Sequence, residues 1–376
     1  MKKTLAALAV LGAFAGSAMA ADVTLYGAVD TGFEYFHTKT TGDKAVDTFD
    51  MQTGWDTPSR WGLKGSEDLG NGYKVSFKLE SGFNSDDGTM GQSGRLFGRE
   101  AGLTLSGPFG SVAFGRFGGI SSSAGTYDML GYVESFDGGD GDVWGFASSA
   151  CYDNMVVYQT PRFAGLQLTA QYSFKTDTKE GDTVGADDEP QYNGDEGTSH
   201  AQRYASVGLS GEYGPASFAV GYELTKYGAN TNGERALDKD GQLVFVGGNY
   251  DFEVVQLFAE AQYFKHQTAI NAGDDAAADL GLGKLGLKGY GLHLGAAAPL
   301  AGGTLTAGLY YVDFSEEAVD KADEDAKYYG VSARYNYPLS ERTGLYAGAG
   351  YGQLKADDTD YKNQVTQVYC GLVHTF

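Results

Sequence analysis

Acidic side chains cluster in one glycine-rich stretch of the chain, between Gly118 and Asp153. Carboxylates grouped in this way can ligate a cation or set up a local electric field. Calcium-binding Gly-Asp repeats are excluded, because Gly138 to Asp142 occurs once and Val143 stands where such a repeat has Asp. The acids that we single out as candidate functional residues are Asp128, Glu134, Asp137, Asp140 and Asp142.

Catalysis would need a nucleophile with a histidine and an acid within reach. The sequence contains no Gly-x-Ser-x-Gly motif, and three of its five histidines fall in or beside predicted loops. The five are His37, His200, His266, His293 and His374. We therefore expect no enzymatic activity, no metal site and no cofactor.

The first twenty residues have the features of an export signal. Two lysines follow Met1, an apolar run extends from Leu5 to Phe14, and small residues end the segment at Ala20. The apolar run is shorter than the roughly 20 residues of a membrane-spanning helix, which favours a cleaved signal over an anchor. We expect a signal peptide at 1–20 and one mature domain at 21–376.

The composition of the remaining chain favours an all-β fold. No stretch approaches 18 uninterrupted apolar residues, which excludes membrane-spanning helices, and 57 Gly and 26 Tyr against 7 Pro suit many short strands. The formal net charge of −22 makes a nucleic-acid partner unexpected. Cys151 and Cys370 are too few for a disulfide framework. A closed, hydrogen-bonded barrel would supply the stability that disulfides do not.

The first predicted strand, 22–36, alternates between two faces. Leu25, Phe33 and Tyr35 share one parity, whereas Asp30 and Glu34 share the other. In a soluble sandwich the apolar face would pack on a second sheet, and in a transmembrane barrel it would contact lipid. The alternation alone leaves both folds open.

Connection lengths favour the barrel, because bacterial barrels have short turns at one rim and long loops at the other. Seven short turn signals alternate with eight longer polar stretches, of which the first is His37 to Pro58 and the third, Gly118 to Asp153, is the longest. This pattern predicts a sixteen-stranded antiparallel transmembrane β-barrel with both termini at the short-turn rim. The predicted strands are 22–36, 59–69, 73–84, 94–106, 111–117, 154–161, 166–175, 201–212, 216–227, 242–250, 253–265, 286–297, 304–314, 327–337, 343–353 and 365–376.

Several segments, in their order and spacing, resemble the trimeric general-diffusion porins of Gram-negative outer membranes. They are Val23 to Gly27, Ser59 to Gly70, Leu79 to Phe83, Gly94 to Arg99, Phe114 to Arg116 and Tyr369 to Phe376. The resemblance covers most of the mature chain. It implies sixteen-stranded barrels that assemble as trimers, with the third loop folded into the lumen as a constriction. On this basis the acids between Gly118 and Asp153 would line the constriction.

The resemblance also implies cationic side chains on the barrel wall opposite these acids. Arg60 and Lys64 share a parity that would point them into the lumen. Arg99 has the parity of Leu103 and Leu105, so its lumen position rests on the resemblance, and a bulge or a subunit-facing surface would explain the conflict. The candidate wall bases are Arg60, Lys64, Arg95 and Arg99.

Together these features predict an outer-membrane channel for passive diffusion of small hydrophilic solutes and ions. Because the loop acids outnumber the wall bases, we expect a weak preference for cations. A substrate-specific channel for sugars or anions is the alternative, since aromatic residues such as Tyr127 and Trp144 occur in the third loop. The expected partners are outer-membrane lipid and lipopolysaccharide, further copies in a homotrimer, and the diffusing solutes.

Overall fold

The chain forms one antiparallel sheet that closes on itself. The computed structural model describes residues 23–133, 136, 146–179, 194–229, 233–235, 237–271, 286–316, 324–357 and 360–376, and these residues form seventeen β-strands. The strands are β1 (Thr24–Thr40), β2 (Val46–Thr53), β3 (Arg60–Gly70), β4 (Tyr73–Gly82), β5 (Glu100–Gly107), β6 (Gly110–Gly118), β7 (Cys151–Gln159), β8 (Leu166–Ser173), β9 (Arg203–Tyr213), β10 (Ala216–Lys226), β11 (Gly241–Asp251), β12 (Gln256–Gln267), β13 (Leu287–Leu300), β14 (Gly303–Glu316), β15 (Glu324–Pro338), β16 (Thr343–Ala356) and β17 (Lys362–Thr375).

Helical structure is limited to two short segments of the described chain. One helical turn covers Gly91–Gly94, and a 3-10 helix covers Leu130–Tyr132. Within the described ranges, no helix has the length and apolar character needed to cross a membrane.

Pairing between the first and last strands closes the barrel. β1 pairs with β17 from Ala28 opposite Thr375 to Thr40 opposite Asn363. On its other edge, β1 pairs with β3 through Thr24 to Ala28 and with β2 through Thr31 to Thr38. Because β2 and β3 share one position beside β1, the barrel has sixteen strand positions, and the predicted closed antiparallel barrel of sixteen strands is confirmed.

The two rims differ as the sequence predicts. Seven short connections lie at the rim that holds both chain ends, and the long loops lie at the other rim. The turn between β3 and β4 shows how the sequence makes a short connection. Its two residues, Asn71 and Gly72, have φ of 54° and 79°, as a two-residue hairpin turn requires.

Two predicted boundaries were wrong by more than three residues. The first strand continues to Thr40. Part of the predicted loop His37 to Pro58 folds back as β2, which pairs with β1 from Thr31 to Thr38. The predicted strand 94–106 begins only at Glu100. Left-handed backbone angles at Gln92 and Ser93, with φ of 48° and 58°, form a turn there and delay the strand.

The strands separate apolar from polar side chains. Phe33 on β1 is 45% exposed on the outer face, whereas Asp30 on the same strand is completely buried on the inner face. The same alternation on β11 exposes Val244 and Val246 and buries Phe245. A transmembrane barrel needs this arrangement, because its outer face contacts lipid.

Candidate functional site

The inner face of β3, β4 and the start of β5 carries a compact set of charged side chains. Glu80 on β4 lies opposite Gly62 on β3 and Glu100 on β5, and Lys78 lies opposite Lys64. We call this set the charged wall group, and it consists of Arg60, Lys64, Lys78, Glu80, Arg99 and Glu100.

Glu80 is the centre of the charged wall group. Its carboxylate accepts hydrogen bonds from Arg99 Nε at 2.7 Å and from the Tyr26 hydroxyl at 2.8 Å. Lys78 Nζ lies at 3.5 Å and Arg60 Nε at 4.0 Å from the same carboxylate. Because the Glu80 side chain is only 4% exposed, it depends on these donors to remain charged.

Glu100 connects the charged wall group to the third loop. Its buried carboxylate forms an ion pair with Lys78 and also accepts hydrogen bonds from the backbone N–H and the hydroxyl of Thr126, at 2.6 and 3.0 Å. β5 therefore contributes one of the wall acids and also holds the start of the loop.

Lys64 extends the group toward the short-turn rim. Its ammonium group lies 4.9 Å from the ring centroid of Tyr26, within the range of a cation–π contact, and the side chain is otherwise exposed. The six members of the charged wall group thus carry four cationic groups and two carboxylates. Their formal sum is 4 − 2, an excess of two positive charges.

Three of the four predicted wall bases come together here, and Arg95 does not. Its guanidinium pairs with Asp153, at 3.2 Å, and with Asp177. Arg116 pairs with the same Asp153 at 2.5 Å. Arg95 lies apart from the group because it follows the turn Gly91–Gly94 instead of lying on a wall strand, and the same turn explains the parity conflict at Arg99.

Of the five predicted loop acids, only Asp128 lies within the described residues. Glu134, Asp137, Asp140 and Asp142 lie outside them. The Asp128 carboxylate accepts hydrogen bonds from the backbone N–H groups of Ser123, Leu130 and Gly131, at 3.1 to 3.3 Å. Burial raises its pKa to about 6, although these donors act in the opposite direction.

The described part of the third loop contacts the buried face of the sheet. Ile120, Met129 and Val133 join a buried cluster with Phe245 and Phe264, which lie on the face opposite the exposed apolar side chains. Polar contacts add to this packing. The Asn249 amide donates to the Tyr132 carbonyl at 2.8 Å, and the Ala147 N–H donates to the Gln262 side chain at 2.8 Å.

Aromatic residues of the loop are also engaged with the wall. Tyr127 packs edge-on against Phe117, with ring centroids 5.3 Å apart. The guanidinium of Arg162 lies 5.5 Å from the Tyr132 ring. Trp144 lies outside the described residues. Tyr127 thus packs the loop against β6, and Tyr132 contacts the connection between β7 and β8.

Comparison with known proteins identifies the family. A family model described as Gram-negative porin matches residues 6–358. An outer membrane porin protein of Bordetella pertussis is 34% identical, with all of both chains covered. Outer membrane porin protein 32 of Delftia acidovorans is 32% identical, over 99% of this chain and 95% of the relative. The chain belongs to the Gram-negative porin family.

A solved structure extends this result to the architecture. The anion-selective porin from Comamonas acidovorans superposes with a TM-score of 0.65 at 25% identity, and the match covers 94% of this chain and 99% of that one. As a member of this family, the protein is an outer-membrane channel protein, and the prediction that it is not an enzyme is confirmed.

Sequence reasoning missed three members of this porin's charged wall group. Lys78 and Glu80 alternate on β4 with Phe77 and Leu79, so the period of two could have assigned them to the lumen. Glu100 could have been assigned in the same way, because its parity is opposite to that of Leu103 and Leu105. The ion pair between Lys78 and Glu100 required the register of β4 and β5.

Replacing Glu80 by Gln should destabilise this porin strongly. The substitution removes the charge that compensates Arg99, Lys78 and Arg60 in a buried position, and such a loss costs about 3–5 kcal/mol. Thermal or denaturant unfolding in detergent, followed by circular dichroism, measures the change.

Glu212→Gln is the matched control. Glu212 pairs with Arg162 at 3.2 Å, but its side chain is 51% exposed, so we expect a loss below about 1 kcal/mol. Equal losses in the two variants would show that Glu80 does not organise the wall group.

Proposed function

We propose that this porin forms a water-filled channel for passive diffusion of small hydrophilic solutes and ions. The observation that carries the proposal is the charged wall group, which places ionised side chains on the inner face of a membrane barrel. A bilayer opposes such solutes because they lose hydrogen bonds to water on entering hydrocarbon. A polar lumen removes that cost, and charges on its wall then act on the passing solutes.

We further propose that the third loop narrows this channel. Support comes from the contacts of Ile120, Met129 and Val133 with the inner face, and from the hydrogen bonds between Thr126 and Glu100. A loop that is fixed to β5 at one point and to β11 at another must cross the space between these strands. Solutes would then pass between the loop and the charged wall group.

Two ion preferences are candidates. Weak cation preference, predicted from the loop acids, is supported within the described residues only by Asp128. Weak anion preference is supported by the two excess positive charges of the charged wall group, and by the likeness to a porin described as anion-selective. The charge of the wall group favours the anion preference, and a substrate-specific anion channel would be its stronger form.

Recordings in planar bilayers under a salt gradient test the channel and its ion preference together. Purified protein should insert in discrete conductance steps, with a reversal potential on the anion side. Lys64→Gln should move the reversal potential toward cations, because Lys64 is the exposed cation of the wall group and its removal halves the positive excess.

Lys355→Gln is the matched control for this experiment. It removes the same charge from an outward-facing position on β16, where Lys355 lies 3.5 Å from Asp357. The control should leave the reversal potential unchanged. A cation-selective wild type that does not respond to Lys64→Gln would contradict the anion preference, and absence of conductance steps would contradict the channel itself.

The ion selectivity should change with pH as Asp128 gains or loses its proton. Since its pKa is raised to about 6, the carboxyl is neutral at pH 5 and charged at pH 7. Cation permeability relative to anion permeability should therefore rise with pH, with a midpoint near 6. Reversal potentials between pH 4.5 and 7.5 measure this change, and Asp128→Asn should abolish the step. An identical step in the variant would assign it to another group.

The proposed lipid and lipopolysaccharide partners are supported by a row of outward lysines. Lys327 lies opposite Lys355, which lies opposite Lys362, at the long-loop ends of β15, β16 and β17. Asp357 pairs with the first two. Directly opposed like charges are unfavourable, and phosphate groups of a lipid at this rim would relieve the repulsion.

The proposed homotrimer is supported by an apolar outer surface. A groove of about 520 Å³ on β1, β2, β16 and β17 is lined by Phe33, Met51, Leu345 and Leu372, among others. A neighbouring copy would cover this surface. The mass of the purified protein in detergent, measured together with its content of lipopolysaccharide phosphate, tests both partner proposals.

Export with cleavage after Ala20 is also a proposal. It is supported by the apolar run and the small residues of 1–20, as described above. Sequencing of the mature N-terminus would find Ala21 first if the proposal holds.

A further inference from the structure

The wall of the barrel is interrupted between β2 and β3. On β1, Ala28 pairs with Arg60 of β3 and Thr31 pairs with Thr53 of β2. Between these two pairs, β1 has two residues, whereas the chain that connects β2 to β3 has six. A common β-bulge adds one residue to a strand. The four additional residues here cannot lie in the plane of the sheet. We call the segment Gly54–Ser59 the inner bulge.

Asp30 on β1 anchors the inner bulge on the inner face of the barrel. Its Oδ2 atom accepts hydrogen bonds from the backbone N–H groups of Asp56 and Thr57, each at 2.8 Å. Its Oδ1 atom accepts a hydrogen bond from the Tyr346 hydroxyl on β16 at 2.6 Å. Because Asp30 is completely buried and faces the lumen side, these bonds direct the segment inward.

Trp55 occupies the inner face above this anchor. Its ring is stacked on Tyr369 of β17, with centroids 4.6 Å apart and planes at 16°, and it also contacts Phe36 of β1. The side chain is 3% exposed. A tryptophan has one of the largest apolar surfaces among side chains, so it removes space from the lumen beside β1 and β17.

Arg334 on β15 joins the inner bulge to the third loop. Its Nε atom lies 3.3 Å from the Asp56 carboxylate, and its guanidinium donates to the Trp55 carbonyl at 3.0 Å. The same guanidinium lies 5.0 Å from the ring centroid of Phe136, a residue of the third loop. One side chain thus contacts both segments.

Phe136 is itself held by β13 and β14, the strands that precede β15 in the order of the sheet. Its backbone N–H donates to His293 of β13 at 3.4 Å, and its carbonyl accepts a hydrogen bond from the Tyr310 hydroxyl of β14. On its other side, the inner bulge is held by Arg60, which donates to the Thr57 hydroxyl at 3.2 Å and to the Pro58 carbonyl at 3.0 Å. Contacts therefore run without a gap from the charged wall group, through the inner bulge, to the third loop.

We propose that the inner bulge is a second element that narrows the channel, and that Arg334 couples it to the third loop. The inference rests on the proposed diffusion function. It assigns Trp55 to setting the size limit and the pair of Asp56 and Arg334 to holding the two narrowing segments together. Solutes would be confined to the part of the lumen beside β3, β4 and β5, where the charged wall group lies.

Single-channel recording with graded polyethylene glycols as neutral probes tests the size limit. Trp55→Ala should raise the conductance above that of the wild type and shift the exclusion limit toward larger polymers. Trp61→Ala is the matched control, since Trp61 lies on the outward parity of β3 and contacts Phe97, 6.1 Å between ring centroids. The control should leave both quantities unchanged.

The coupling is tested by Arg334→Gln and Asp56→Asn, each of which removes one of the two opposite charges of the pair. Each should increase the frequency of brief closures, because the third loop loses one of its attachments. The double variant should show no further increase over Arg334→Gln, since that substitution already removes the partner of Asp56. These two variants still test the proposed coupling if Trp55→Ala fails to fold.

The outcomes separate the inference from the function on which it rests. If the wild type conducts and Trp55→Ala matches Trp61→Ala in conductance and exclusion limit, the inner bulge does not narrow the channel. If closures are unchanged in Arg334→Gln and Asp56→Asn, the coupling is wrong. If the wild type itself does not conduct, the proposed function fails.

Discussion

In the hydrocarbon core of a membrane, every backbone N–H and C=O group must find a partner within the protein. The pairing of β1 with β17 meets this requirement, because it joins the two edges that an open sheet would leave unpaired. Closure of the sheet gives it one face toward the lumen and one face toward the lipid. Each strand must present apolar side chains outward, and the polar side chains that remain are collected in one lumen.

Charges collected in this way need partners of their own. Glu80 has them in Arg99, Tyr26, Lys78 and Arg60, and Glu100 has them in Lys78 and Thr126. These contacts make the charged wall group stable enough to face a passing solute with a fixed arrangement of charge. The third loop is attached to this group through Glu100 and the inner bulge through Arg60. In the proposed channel, selectivity and width would therefore both depend on the strands that carry this group.

Much of the fold could be predicted because its signals are local. Alternation assigned Asp30 and Phe33 to opposite faces, and turn residues such as Asn71 and Gly72 marked the short rim. The site was less predictable, because the register between neighbouring strands decides which charged side chains come into contact. Arg95 follows a turn that periodicity does not reveal, and the inner bulge depends on pairing between β1, β2 and β3. Four of the loop acids remain predictions, since they lie outside the described residues.

The separation of an aqueous lumen from a lipid-facing surface can be measured directly at neighbouring positions. Ser76 shares the inward parity of Lys78 and Glu80, and Phe77 faces outward opposite Leu103. Each would be replaced by Cys in a chain without Cys151 and Cys370, and a charged, water-soluble thiol reagent added during single-channel recording. The barrel described here predicts that the reagent lowers the conductance of Ser76→Cys in one step and leaves Phe77→Cys unchanged. An equal response at the two positions would contradict it.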